Sequence, residues 1–425
     1  MTARIKPRTI LHIDINSCFA SCEQQDAREL RGRPLGVVQD SGKRSVIIGS
    51  SREAKMIGVG TGMPIWEAKK IFADITTVPA HFDRYVFYSR AFGKIWKYYS
   101  NRVEVFSIDE LFIDVTSHEN KFSAIAKEIK ARLKVEMGSW FTVSVGIAPN
   151  KMLAKLASGS QKPDGLVVVD PKKRLEFLDK HPLWHICGIG FRVERRLNRL
   201  GIYTIPQLRQ APKKVLTQEF GVMGEVYSQW GHGIDPSPVL TKGKVAPEKS
   251  FGNQVTLPRD LNRPSEINRV FLNLCWQVAG RMREKGMGAR SVLLTLRSGG
   301  QSIPPGRWTL EDTFTFKRIR RKWLQQQYTP GKVCATAYDL YRTVKTIYKK
   351  LAWRGSVRFV GISAGNLIPL NHIPLSLFNK DIKREKTAFA WDKVRKKYEP
   401  FLLRPASLLA GRVKDSNLNG FSKRF

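Results

Sequence analysis

Apolar side chains at Ile10, Leu11, Ile13 and Ile15 predict a buried strand over Thr9 to Ile15, which carries Asp14 to its end ahead of Asn16 and Ser17. From Val103 to Thr116 the pattern runs strand, break, strand. Val103, Val105 and Phe106 come first, then Ser107 to Glu110, then Leu111, Phe112, Ile113 and Val115. That order predicts a hairpin with acids near its turn. Ile125, Ile129 and Leu133 repeat every four residues within Ser123 to Met137, an amphipathic helix. Phe141 to Ala148 alternates Phe141, Val143, Val145 and Ile147 with smaller residues, as a strand does. The first 170 or so residues therefore read as an α/β unit.

A segment over about 18–80 interrupts this unit, with Arg52, Glu53, Ala54 and Lys55 followed by Pro64 opening a helix whose apolar side is Ile65, Ala68, Ile71 and Phe72. From about 174 to 242 helical patterns are separated by Gly188, Gly190, Gly201, Gly221 and Gly224. After a joint over Thr241 to Glu248 a second α/β segment begins, with strand candidates Ser291 to Arg297, Asp312 to Lys317 and Val357 to Ser363. The last 50 or so residues read as basic and less regular, apart from a helix-like stretch from Ala388 to Tyr398. No repeat recurs at a fixed period.

Composition narrows the classes. With 425 residues, 42% hydrophobic and 26% charged, the chain has the make-up of folded domains rather than of a disordered protein. No apolar run approaches the roughly 18 to 20 residues needed to span a bilayer. Five scattered cysteines, Cys18, Cys22, Cys187, Cys275 and Cys334, form neither a CxxC pair nor a disulfide framework, so a reducing cytoplasm is expected and membrane insertion is not. The formal net charge is +37. Residues 1–150 carry 22 basic and 16 acidic side chains, whereas residues 301–425 carry 26 and 8. So lopsided a balance points to a polyanion, nucleic acid above all, because each phosphate neutralised by Lys or Arg releases a condensed counterion.

Three acids stand out by position: Asp14 at a strand end, and Asp109 with Glu110 at a hairpin tip. Carboxylates gathered without basic partners repel, so a divalent cation, magnesium by preference, is expected among them. Two such ions about 3.5 to 4 Å apart clamp the attacking and leaving oxygens of an in-line phosphoryl transfer, as in polymerases and nucleases. By spacing alone the plainer alternative stays open, in which Asp14 ends a strand and the other two are turn residues.

Three longer motifs carry a resemblance. His12-Ile13-Asp14-Ile15-Asn16-Ser17-Cys18-Phe19-Ala20-Ser21-Cys22-Glu23, then Ser107-Ile108-Asp109-Glu110-Leu111-Phe112-Ile113-Asp114, then Ser144-Val145-Gly146-Ile147-Ala148-Pro149-Asn150-Lys151 through Ala157, resemble the Y-family translesion DNA polymerases in order and spacing. The similarity covers roughly residues 8–366 and is to the bacterial polymerase IV and polymerase V catalytic-subunit branches, with Asp14-Ile15-Asn16 and Arg52-Glu53-Ala54-Lys55 closer to the latter. It implies an α+β multidomain, right-hand polymerase. The palm would be residues 8–17 and 81–173, the inserted fingers 18–80, a small helical thumb with a helix-hairpin-helix 174–241 and a linker 242–248. An α/β little-finger domain over 249–366 and a basic C-terminal tail over 367–425 would follow.

The implied activity is template-directed, error-prone addition of deoxynucleotides to a primer 3′ end in DNA repair and damage tolerance, without proofreading. A two-metal nuclease and a catalytically inactive adaptor bridging DNA and clamp are the alternatives. By the same resemblance Asp14, Asp109, Glu110 and the Ile15 carbonyl are the expected ligands of two Mg²⁺, and Phe19 the aromatic gate against a ribose 2′-hydroxyl. Arg52, Lys55 and Lys155 would meet the triphosphate, and Gly188, Gly190 and Arg192 a DNA phosphate. Arg290, Arg297, Lys317, Arg318, Arg320 and Arg321 are further DNA candidates. Pro374-Leu375-Ser376-Leu377-Phe378 is similar to a clamp-docking peptide, with Leu375, Leu377 and Phe378 as anchors. The expected partners are primer-template DNA, dNTPs and a sliding clamp, for a monomer with which an accessory subunit is compatible. Three positions depart from the pattern: Arg52 replaces a usual Tyr, Cys18 a usual aromatic residue and Cys187 a usual Pro.

Overall fold

The structure, a computed structural model, describes residues 8–39, 45–118, 121–241, 247–299, 323–353, 355–373 and 379–397. The strand expected over Asp312 to Lys317, with Lys317, Arg318, Arg320 and Arg321, lies outside the described residues, as do Leu375, Leu377 and Phe378. The chain divides between Val245 and Ala246 into two compact units.

The first unit opens with β1 (Ile10–Ile15), α1 (Cys18–Asp26), β2 (Leu35–Val38), β3 (Ile47–Ser50), α2 (Arg52–Met56), α3 (Ile65–Ile71) and β4 (Thr76–Pro79). It continues through α4 (Phe82–Ile95), β5 (Val103–Val105), β6 (Glu110–Asp114), α5 (Phe122–Met137), β7 (Val143–Ala148), α6 (Lys151–Ser160) and β8 (Leu166–Val168). A helical run closes it: α7 (Arg174–Asp179), α8 (Phe191–Arg199), α9 (Ile205–Gln210), α10 (Lys213–Phe220) and α11 (Val222–Gly231).

The main sheet has the order β5-β6-β1-β7-β8, and its middle strand β1 is buried along its whole length. Side chains alternate across a strand, so Leu11, Ile13 and Ile15 enter one core with α4 and α5, while Ile10 enters another under α6. Helix α6 can lie close because β7 offers it small residues: a Cβ on Gly146 would stand 2.1 Å from the Ala154 carbonyl oxygen. Asn150 caps α6, accepting from the Leu153 N–H at 2.9 Å, and its amide donates to the Gly233 carbonyl at the end of the helical run.

Within 18–80 the structure adds a three-stranded sheet, β3-β2-β4, that apolar patterning did not announce. Helix α1, at the start of this segment, buries Cys18, Ala20 and Cys22 in the main-sheet core. Both cysteines are free thiols.

The second unit comprises β9 (Ser250–Leu261), α12 (Pro264–Glu284), β10 (Met287–Arg297), β11 (Trp323–Tyr328), α13 (Ala337–Lys350), β12 (Val357–Pro369) and α14 (Asn379–Lys397). Its antiparallel sheet, β11-β10-β12-β9, packs one face against Phe271, Leu274 and Val278 of α12 and Leu340, Val344 and Ile347 of α13. Strand β12 runs on to Pro369. The tail expected to be less regular instead contains α14, held to α12 by a bidentate ion pair between Arg283 and Asp392 (2.6 and 3.0 Å) and by Trp276 against Trp391. Its apolar side is so sparse, Ala388 and Trp391 amid lysines and arginines, that periodicity showed only its second half. No helix among the described residues is long and apolar enough to cross a membrane.

Candidate active site

The alternation that buries Leu11 and Ile13 places Ile10, His12 and Asp14 on the opposite face of β1, under α6. Antiparallel register sets Asp14 directly opposite Glu110 on β6, and His12 opposite Phe112 with rings 4.6 Å apart. Directly opposite Cβ atoms in such pairs are about 4.5 to 5.5 Å apart, so the two carboxylates share one patch of sheet. Asp109 belongs to the loop just before β6. Its carbonyl accepts from the Ile15 N–H at 3.0 Å, and its Oδ1 accepts from the Ser107 hydroxyl at 2.6 Å. Asp14, Ile15 and Asp109 line one cavity, together with Phe19, Lys55 and Lys162.

Contrary to expectation, two of these acids do have basic partners. Lys155 on α6 reaches Glu110 at 2.5 Å, and Lys162, just past the end of α6, reaches Asp14 at 2.7 Å. Burial raises the Asp14 carboxyl to about 7 against the pull of Lys162. Burial pushes Glu110 upward as well, but hydrogen bonds from Lys155 and Asp14 outweigh it and leave Glu110 below its ordinary value. His12 is held down to about 3 by burial and by Lys155, so it is neutral, with Nδ1 2.6 Å from the Ser158 hydroxyl. Lys162 was not singled out from the sequence. It is brought in by Asn16, whose Oδ1 accepts from the Asp164 N–H at 2.9 Å and so ties the loop after α6 to the end of β1.

With the three carboxylates and the Ile15 carbonyl, the donor set is all oxygen, which fits a hard divalent cation. Asp14 is buried and paired with an ammonium that a bound cation would have to displace. In this conformation no three of the described carboxylate, imidazole and thiol groups converge on one point, since Glu110 and Asp14 are turned to the lysines.

The opposite wall begins at Ser17, whose left-handed backbone (φ 49°) turns the chain sharply from β1 into α1. That turn presents Phe19, whose ring lies flat on Tyr85 with centroids 4.6 Å apart. Only glycine fits beside it, because a Cβ on Gly49 would stand 2.9 Å from that of Phe19. Lys55 donates to the Ser17 hydroxyl at 2.9 Å, and its ammonium is depressed by burial and by Lys162. Arg52 is exposed at the start of α2 and is not among the cavity residues. Lys155 faces Glu110 rather than the cavity. Tyr85, Gly49 and Ser17 carried no signal in periodicity or charge.

Further along, Gly188 adopts a left-handed conformation (φ 106°), and a side chain there would strike Trp230 at 2.8 Å. Gly190 caps α8 without a side-chain bond, and Arg192 in the first turn of that helix is exposed. In the second unit Arg290 is exposed, while Arg297 is half-buried over Trp323, ring centroid 5.3 Å away.

A family model described as the impB/mucB/samB family matches residues 13–159, and the model of that family's C-terminal domain matches residues 248–377. DNA polymerase IV of Pelotomaculum thermopropionicum is 35% identical over 410 residues, 95% of this chain and 96% of the relative. DNA polymerase IV 1 of Bacillus subtilis is 31% identical over 427 residues, 99% of this chain and 98% of the relative. Both carry the name of the first of the two branches that the motifs resemble. Among solved structures, a Y-family DNA polymerase chimera shares the fold with a TM-score of 0.69 at 24% identity, covering 85% of this chain and 99% of the chimera. With both family domains present in order and relatives matched nearly end to end, the chain belongs to the impB/mucB/samB family, that of the Y-family translesion DNA polymerases.

Proposed function

We propose that the cavity beside Asp14 and Asp109 is the polymerase active site, where a deoxynucleotide is added to a primer 3′ end opposite a DNA template. The observation that carries this reading is the register of Asp14 against Glu110, with Asp109 tied to the same strand end and Phe19 lining the same cavity. Asp14, Asp109, Glu110 and the Ile15 carbonyl would hold Mg²⁺, which supplies neutralisation of the pyrophosphate and acidification of the primer 3′-hydroxyl. Lys55 and Lys162 are placed to receive triphosphate oxygens, Lys162 by exchanging Asp14 for phosphate. Lys155 keeps Glu110 ionised and oriented. Phe19, hemmed in by Tyr85 and Gly49, stands where it would exclude a 2′-hydroxyl. Arg52 is proposed for the outer phosphates only, being outside the cavity.

Gly188, Gly190 and Arg192 are proposed to grip a DNA phosphate at the start of α8, binding without reading sequence. Leu375, Leu377 and Phe378 stay proposed clamp anchors on sequence alone. Full-length relatives named as polymerases favour synthesis over the nuclease and adaptor readings. The deciding experiment is primer extension with dNTPs and Mg²⁺. The wild type lengthens the primer and leaves it intact when nucleotides are withheld, whereas Asp109→Ala abolishes extension and still binds primer-template. Shortening of the primer without nucleotides would establish a nuclease instead.

A further inference from the structure

Behind Phe19 lies a polar network that the chemistry above does not use. Tyr85, fully buried on α4, stacks on Phe19 with ring planes 13° apart. Its hydroxyl donates to the carboxylate of Glu23, one helical turn beyond Phe19 on α1, and accepts from the His81 backbone N–H at 3.2 Å. His81 Nδ1 meets both Glu23 oxygens, at 3.1 and 3.0 Å. Glu23 is 7% exposed and does not line the cavity. A buried carboxylate is costly to desolvate, and an apolar side chain of similar volume would avoid that cost. Its return is geometric, since charge-assisted bonds fix a partner's orientation more tightly than packing does. Here the oriented partner is Tyr85, the surface against which Phe19 rests.

We propose that Glu23 is a positioning residue for sugar selection: by holding the Tyr85 hydroxyl it fixes the ring behind Phe19, and so sets how closely Phe19 approaches C2′ of the incoming nucleotide. This rests on Phe19 being the sugar-facing residue.

Single-nucleotide insertion tests it, comparing kcat/KM for a dNTP with that for the matching rNTP on one primer-template. Glu23→Leu lowers the dNTP-to-rNTP ratio about tenfold, equivalent to about 1.4 kcal/mol of discrimination, mainly because ribonucleotide insertion rises. Glu23→Gln keeps an oxygen to accept from Tyr85 and restores most of the ratio. Tyr85→Phe keeps the ring without the hydroxyl and shifts the ratio in the same direction as Glu23→Leu. A merely structural Glu23 lowers both efficiencies together at constant ratio, and that outcome overturns the proposal. If Glu23→Leu does not fold, Tyr85→Phe decides alone, and an unchanged ratio overturns it. Phe19→Ala separates the two layers. An unchanged ratio there removes the gate reading itself, whereas a collapsed ratio in Phe19→Ala beside an unchanged one in Glu23→Leu removes only the positioning role.

Discussion

Replacing Lys162 by Met removes the ammonium that sits 2.7 Å from Asp14 and keeps most of the length of its stem. In the proposed mechanism that ammonium moves to a triphosphate oxygen when nucleotide binds. Two unit charges about 4 Å apart interact by about 4 kcal/mol at an effective dielectric near 20. The Lys162 side chain is 41% exposed, and solvent at such a group cuts the net gain to about 1 to 1.5 kcal/mol. Lys162→Met should therefore raise KM for the dNTP about tenfold with kcat nearly unchanged, the signature of binding energy shared by ground state and transition state. Lys162→Arg retains the charge and should recover much of the loss. The assay is steady-state single-nucleotide insertion with primer-template saturating. A collapsed kcat at unchanged KM would refute the reasoning, because Lys162 would then act only as the counter-charge that keeps Asp14 in place.

Two further changes probe packing. Gly49→Ala puts a methyl 2.9 Å from the Phe19 Cβ, an overlap that should cost about 1 to 3 kcal/mol of stability and, by displacing the ring, lower dNTP insertion on the order of tenfold; unaltered insertion would show that the wall yields instead. Asp392→Ala leaves Arg283, whose side chain is 3% exposed, without its carboxylate, at an expected loss of about 3 kcal/mol from the second unit. Urea unfolding followed by tryptophan fluorescence checks this, since Trp276 and Trp391 touch beside that pair, and a loss below about 1 kcal/mol would mean that the arginine finds water.

The parts of the site that could be read from the chain are those written in local periodicity. Ile10 to Ile15 alternates within a strand that sits at the centre of its sheet, and the broken apolar run from Val103 to Val115 could only fold back on itself. Periodicity put Asp14 at a strand end and Asp109 with Glu110 at a hairpin turn; that they share a site was implied by the resemblance, and the register of β1 against β6 sets Asp14 opposite Glu110. What escaped reading depends on contacts between distant positions. Lys162 owes its place to a bond between Asn16 and Asp164, 148 residues apart. Gly49 is small because of Phe19, and β2, β3 and β4 are four residues each, too short to show alternation. Arg52 is read from its motif position alone: it is the first residue of α2, exposed and outside the cavity lining, so packing gives no further sign of its role.

In the proposed site the lysines also account for how two acids can sit together in the folded protein before any metal ion binds. Asp14 and Glu110 are cross-strand neighbours in a sheet, an arrangement in which like charges are destabilising. Burial raises Asp14 to about 7 even with Lys162 beside it, and a protonated carboxyl is a poor metal ligand. Helix α6 offsets this in full at Glu110 and in part at Asp14, since the small residues that let it lie on β7 bring Lys155 over Glu110, and the loop after its end brings Lys162 to Asp14. Lysine suits the task better than arginine. A guanidinium would grip a carboxylate through two parallel bonds and resist exchange, whereas an ammonium on a flexible stem is a point charge that can pass from carboxylate to phosphate as an incoming cation takes its place. Lys162→Arg consequently separates the two demands made on this position: it should hold Asp14 as firmly as lysine does or more so, yet surrender it less readily, and any activity it fails to recover should be regained by raising the Mg²⁺ concentration.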